Sequence, residues 1–115
     1  MPGVSTLIDA QQSWTTPLGF ISRNNFLGVR LSATTTSSRA QLVGNGISLI
    51  LTNPGTVEAY VTCGGASVVA TTAHFPVLAG QQTTLSIPND GSVTFVAAIT
   101  ASGSTPIIAH IGYGV

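Results

Sequence analysis

The feature that most constrains the fold is the spacing of turn residues from about Gly44 to the end of the chain. Glycine, proline and asparagine recur there and divide the sequence into short apolar runs. Runs of this length suit β-strands, and regular turns between short strands are typical of a sandwich or a barrel. We find no window with helical periodicity and caps. The sequence therefore predicts an all-β fold of antiparallel strands.

Two of the later strands show how each run is expected to face the core. In residues 82–88, Leu85 and Ile87 share one face with Thr83, while the other face is polar. This strand is predicted to be buried on one face only. Residues 92–100 are apolar on both faces, which indicates a central or covered strand. Its inward side chains are predicted to be Val93, Phe95, Ala97 and Ile99.

Turn sequences predict how the strands are joined. The segment Asn53-Pro54-Gly55-Thr56 separates the apolar runs 47–52 and 57–63. Its proline presets the first turn torsion and its glycine permits the positive torsion of a type II turn, so a hairpin is predicted. Residues 89–91 and 101–104 are predicted to join the strands that follow.

The first forty residues have a different pattern of apolar and polar residues. Residues 18–21 and 26–31 have the composition of strands, but residues 1–16 show no clear alternation. We interpret 1–16 as an extended N-terminal arm and 17–115 as the β-sandwich domain; a plain disordered tail is the alternative for the arm. Trp14 favours an ordered arm, because tryptophan is enriched at interfaces.

Charge is scarce throughout the chain. Only 5% of the residues are charged, against about 25% in a typical soluble domain, and lysine is absent. With three arginines as the only cationic side chains besides histidine, nucleic-acid binding is not expected. The apolar runs are too short to span a membrane and no secretory signal is recognised, so neither a membrane nor export is expected. The single cysteine, Cys63, suits a reducing cytoplasm.

No arrangement of residues indicates catalysis or a cofactor. The three carboxylates, Asp9, Glu58 and Asp90, fall in different segments, whereas a glycosidase needs two at one bond. His74 and His110 lie outside any ligand cluster, so no metal site is predicted. The glycine-containing motifs that mark a nucleophilic serine or a dinucleotide-binding site are both incomplete in this chain. Cys63 is predicted to point inward as a small core residue. We expect neither an enzyme nor a cofactor.

Three stretches of the chain resemble small structural proteins of tailed bacteriophages. They are Leu51-Thr52-Asn53-Pro54-Gly55-Thr56-Val57-Glu58-Ala59-Tyr60-Val61, Phe75-Pro76-Val77-Leu78-Ala79-Gly80 and Phe95-Val96-Ala97-Ala98-Ile99-Thr100-Ala101-Ser102-Gly103. The resemblance is strongest to the decoration, or cement, proteins of the outer capsid and covers about residues 44–115. It implies a jelly-roll-like β-sandwich that binds the capsid surface and stabilises the shell non-covalently.

The same resemblance implies the partners and the location. The expected partner is the major capsid protein, and the chain is expected to form a homo-oligomer, either a dimer or a trimer, made in the host cytoplasm and carried on the virion. Aromatic and arginine side chains, which are enriched at the hot spots of interfaces, are expected to make the contacts. They are Trp14, Phe20, Arg23, Phe26 and Arg30. A tail, neck or head-fibre component and a carbohydrate-binding jelly roll remain as alternatives.

Overall fold

A computed structural model describes Ile21 and residues 26–114 of the chain. All the regular secondary structure in this part is β-structure, as the sequence predicts. The eight strands are β1 (Val29–Ala33), β2 (Ser38–Gln41), β3 (Ser48–Thr52), β4 (Ala59–Gly64), β5 (Phe75–Val77), β6 (Gln82–Ser86), β7 (Phe95–Ile99) and β8 (Thr105–Gly112). The predicted arm, residues 1–16, lies outside the described residues.

The strands form two antiparallel sheets of four strands each. Sheet A has the order β1-β8-β3-β6, and sheet B has the order β2-β7-β4-β5. Each sheet turns one row of alternating side chains toward the other sheet. The predicted antiparallel β-sandwich is confirmed.

The core lies between the two sheets and is made of aliphatic side chains. Leu49, Leu51 and Ile107 of sheet A and Val61, Val77 and Val96 of sheet B are its largest members, each at most 2% exposed. Burial of such a side chain stabilises the fold by about 1.5–3 kcal/mol. In β6, the alternation of partly buried and exposed residues follows the prediction, with Thr83 and Leu85 turned inward. A slip of one residue would expose these inward rows, so burial fixes the register.

The predicted hairpin around Pro54 is wrong. Strand β3 lies in sheet A between β8 and β6, whereas β4 lies in sheet B between β7 and β5, so residues 53–58 cross from one sheet to the other. Gly55 does not adopt the positive φ of a type II turn. Glycine is needed there for space, because a Cβ would collide with the Thr105 side chain.

The crossing is held by Asn53, which is fully buried. Its Nδ2 donates to the carbonyl oxygens of Val57 (2.8 Å) and Val77 (2.9 Å). Its Oδ1 accepts hydrogen bonds from the Gly55 N–H (3.1 Å) and from the Thr105 hydroxyl (2.7 Å). Two donors and two lone pairs are the full capacity of an amide side chain. Asn53 therefore links the end of β3, the crossing, β5 and β8.

The predicted inward face of β7 is also wrong. Val96 and Ala98 belong to the core between the sheets, and Phe95, Ala97 and Ile99 lie on the outer face of sheet B. Both faces of this strand are apolar, so the alternation alone could not fix its register. The prediction that β7 is central is correct, since β2 and β4 flank it.

The loop between β4 and β5 explains why both faces of β7 are apolar. The Ala70 N–H donates to the hydroxyl of Ser37 (2.8 Å), which immediately precedes β2. Strand β2 lies on the far side of sheet B from β5, so the loop passes across the outer face of the sheet. Ala70 and Ala97 are both buried although neither belongs to the main core. The loop therefore covers the outer side of β7.

Candidate binding surface

Several large apolar side chains are exposed in the segments that adjoin the end of β8. We call this surface the apolar end surface, and its members are Ile21, Phe26, Leu27, Val43 and Ile47. Phe26 and Leu27 are each 59% exposed. Scattered apolar residues are normal on protein surfaces, whereas a group of them marks a candidate interaction site.

Backbone pairing around Tyr113 brings this surface together. The Ile21 N–H donates to the Tyr113 carbonyl (2.6 Å) and the Tyr113 N–H donates to the Ile21 carbonyl (2.7 Å). On the other side, the Ile47 N–H donates to the Gly112 carbonyl (2.9 Å). Gly46 must be glycine, because a Cβ there would overlap the Gly112 backbone. The segment before β1 and the segment before β3 are thus held on either side of the last residues of β8.

Phe26 is held in a conformation that few bulky residues adopt. Its φ is 62°, in the left-handed region, and it is the only described residue other than glycine with a positive φ. This conformation costs about 1–2 kcal/mol for a residue with a side chain. Strained backbone of this kind clusters at functional sites such as ligand clamps and switch regions. Phe26 and Leu27 precede β1 directly, and Gly28 lies against His110 of β8.

The structure describes two of the five predicted contact residues. Phe26 belongs to the apolar end surface, whereas Arg30 lies on the outer face of sheet A, opposite Ile108 of β8. Both side chains are exposed. The other three, Trp14, Phe20 and Arg23, lie outside the described residues. Their roles as contacts stay predictions.

Sequence reasoning missed most of the apolar end surface. The sequence predicts Ile47 as an ordinary strand residue, and nothing in the sequence separates its exposed position from the buried Leu49 and Leu51. Val43 has no distinguishing neighbours either. The signal that could have drawn attention to this surface is the run Phe26-Leu27 directly before Gly28.

Few charged groups are described, and none of them belongs to the apolar end surface. Hydrogen bonds from Ser92, first from its side chain and then from its backbone N–H (2.9 Å), hold the pKa of the exposed Asp90 below its ordinary value. A hydrogen bond with Glu58 raises the pKa of the Tyr60 hydroxyl. Because no described charged group belongs to the apolar end surface, a partner docking on this surface would desolvate apolar groups and few ionised ones.

The candidate catalytic and metal residues stay apart in the structure. His74 lies in the β4–β5 loop, where its Nδ1 accepts a hydrogen bond from the Thr71 N–H (2.8 Å). His110 lies on the outer face of β8, and Cys63 packs against the core, where burial raises its thiol pKa. Within Ile21 and residues 26–114, no three potential metal ligands meet and no pocket forms. None of the described segments is a helix that could cross a membrane.

Comparisons with protein-family models, with curated proteins and with solved structures found no match. The strand order and the apolar end surface therefore carry the functional argument. Both are properties of the described residues and can be tested by substitution.

Proposed function

We propose that the two sheets form a jelly roll. Four of the antiparallel pairs are nested along the chain, since β1 pairs with β8, β2 with β7, β3 with β6 and β4 with β5. One long hairpin of four strand pairs, rolled so that its arms alternate between two sheets, produces this pattern. The further pairs β3–β8 and β4–β7 close each sheet across the roll. Eight strands in two sheets with such connections are the jelly-roll arrangement.

We propose that the protein is a virion structural protein that binds the outer surface of a bacteriophage capsid and stabilises the shell. The observation that carries this proposal is the apolar end surface on a sandwich of jelly-roll strand order. Jelly rolls are common in viral capsid proteins and in lectins. The low charge of the chain also suits a protein whose surface is covered by neighbours in an assembly.

Attachment through such a surface relies on the burial of apolar area. Because Phe26 and Leu27 are each 59% exposed, burial of what remains exposed contributes about 1–2 kcal/mol for each side chain. Association also costs translational and rotational freedom, so this contribution alone gives weak binding. Repetition of the site over a capsid and self-association of the protein raise the avidity. Because the protein binds the assembled shell and not its separated subunits, it favours the assembled state by mass action.

The proposal is tested with two variants of the surface and one matched control. Phe26→Asn removes the aromatic ring, and asparagine tolerates the positive φ at this position, so the fold is retained. Leu27→Ser removes the neighbouring side chain. Val69→Ser is the control, because Val69 is 58% exposed in the β4–β5 loop and outside the surface.

Each protein is mixed with purified capsids made of the major capsid protein, and the capsids are pelleted. We expect Phe26→Asn and Leu27→Ser to reduce the bound fraction at least fivefold, while Val69→Ser binds like the wild type. Equal binding by all four proteins contradicts the assigned surface. Absence of wild-type binding to capsids, with binding to purified tails or necks, supports the alternative of a tail, neck or head-fibre component. Binding to a glycan array but to no particle supports a carbohydrate-binding module.

A further inference from the structure

One side of the sandwich is more open than the other. Strands β1 and β2 stand at one edge of their sheets and pack against each other. Strands β5 and β6 stand at the opposite edges and make far fewer mutual contacts. Phe75 of β5 and Leu78 just after it remain 43% and 44% exposed. The open side therefore combines two strand edges with exposed apolar side chains.

The β6 edge presents backbone groups that lack a partner in the described part of the chain. The Ile87 N–H donates to the Ile47 carbonyl, and the Asn53 N–H donates to the Gln81 carbonyl. In an antiparallel ladder these bonds recur at every second residue, so the odd-numbered residues of this strand bond to β3. The N–H and C=O groups of Gln82, Thr84 and Ser86 then point away from the sheet. None of these groups bonds to another described segment.

This edge also lacks the features that normally prevent strand pairing. Natural edge strands are protected by charge, by proline, by a bulge or by small length. Strand β5 has Pro76 and only three residues, β1 has Arg30, and β2 has Arg39. Strand β6, with the sequence Gln-Thr-Thr-Leu-Ser, has five residues and none of these protections. It is the most accessible of the four edges for strand addition.

We propose that β6 is a self-association site at which a second copy of the chain adds its own β6 in antiparallel orientation. A two-fold axis at Thr84 places Thr84 opposite its counterpart, Gln82 opposite Ser86, and Thr83 opposite Leu85. The outward groups of Gln82, Thr84 and Ser86 then pair between the copies, and sheet A continues from one copy into the other. This inference does not depend on the proposed capsid function.

A second copy fits this edge better than a charged partner does. The facing row has no ionised side chain, so the two-fold arrangement opposes no like charges. Opposed threonines form favourable cross-strand pairs. A stable interface buries about 1,200–2,000 Å² in total, which is more than one strand pair supplies. Phe75 and Leu78 lie on the same open side and provide apolar area beside the new ladder.

The test uses opposite charges at the two-fold axis. In Thr84→Lys and in Thr84→Glu, like charges face each other across the axis, so each variant alone is expected to be monomeric at about 50 μM. Mixed in equal amounts, the two variants bring opposite charges together and are expected to form a heterodimer. Gln41→Lys places the same charge on the exposed β2 edge and is expected to remain dimeric. Native mass spectrometry and sedimentation velocity measure the masses.

Hydrogen exchange on the wild type adds a second readout. We expect the amides of Gln82, Thr84 and Ser86 to exchange at least tenfold more slowly in the dimer than in the diluted monomer. A wild type that is monomeric at all concentrations overturns the proposal. Dimers of Thr84→Lys as stable as those of the wild type overturn it too, and so does slow exchange of these amides in the monomer, which would assign the edge to another segment of the same chain.

Discussion

Replacement of Asn53 by alanine tests the crossing, residues 53–58, that connects the two sheets. The substitution removes all four hydrogen bonds of the buried amide. Two of the partners, the Val77 carbonyl and the Thr105 hydroxyl, are themselves buried at these bonds. The other two, at Val57 and Gly55, are partly buried and can be solvated again. The two buried partners therefore dominate the expected loss.

A buried polar group left without a partner costs about 1–3 kcal/mol, so the two together lower the free energy of unfolding by about 4 kcal/mol. For a domain of this size that corresponds to a fall in Tm of about 15 °C. Urea unfolding followed by far-UV circular dichroism measures the loss. Thr105→Val removes one of the stranded partners, so the double variant Asn53→Ala with Thr105→Val should lose about 1–3 kcal/mol less than the sum of the single losses.

Asn45→Ala is the matched control for this experiment. Asn45 is exposed, and its bond with the Tyr113 hydroxyl is long, at 3.5 Å. Its loss should change stability by less than about 0.5 kcal/mol. If Asn53→Ala lowers the free energy of unfolding by less than about 1 kcal/mol, the amide does not stabilise the crossing and the reasoning fails. It fails too if the loss in the double variant equals the sum of the two single losses.

Three further predictions concern space, reactivity and attachment. Gly55→Ala should cost about 1–3 kcal/mol in urea unfolding because a Cβ meets the Thr105 side chain, whereas Gly65→Ala, with open space around it, should be neutral; equal effects would exclude the steric argument. Because burial raises the Cys63 thiol pKa, labelling by a thiol reagent at pH 8 should be slower in the native than in the urea-unfolded protein, and native stability should fall as the pH rises through and above the ordinary thiol range; equal labelling rates would contradict the burial. Attachment to capsids should survive a wash in about 0.5 M salt and weaken in moderate urea, as a pelleting assay measures, because apolar burial and not ion pairing holds it; release by salt alone would point to the arginines.

The sequence predicts the class of fold because each strand can be recognised from the alternation of neighbouring residues. In β6 the alternation of Thr83 and Leu85 with polar residues, continued by the buried Ile87 just after the strand, is a direct consequence of one face turned inward. The same reasoning fails in β7, whose outer face is apolar and lies on the side of sheet B that the β4–β5 loop crosses. Such a cover is a contact between distant segments and leaves no periodic signal.

The joining of the strands could not be predicted from the turns alone. The residues around Pro54 have the composition of a hairpin turn, yet they cross between sheets. The decisive interactions connect Asn53 to Val77 and Thr105, which are far away in the sequence. Strand β2 could not be predicted for a related reason, since its Ser-Arg-Ala-Gln sequence has little strand propensity and its pairing with β7 stabilises it.

The three stretches on which the expected resemblance to phage decoration proteins rests have structural roles in this chain. The first stretch contains the crossing at Asn53, the second contains β5 and the turn at Gly80, and the third contains β7 and the turn at Gly103, where both glycines have positive φ. One fold can serve proteins that bind different partners, so residues with structural roles do not by themselves indicate what a protein binds. The apolar end surface lies at positions 21–47, outside all three stretches, and β6 lies between the second and the third. Proteins that contain these three stretches are therefore expected to share the strand order of this sandwich. Their binding partners are expected to depend instead on the segment before β1 and on the exposed edge of β6.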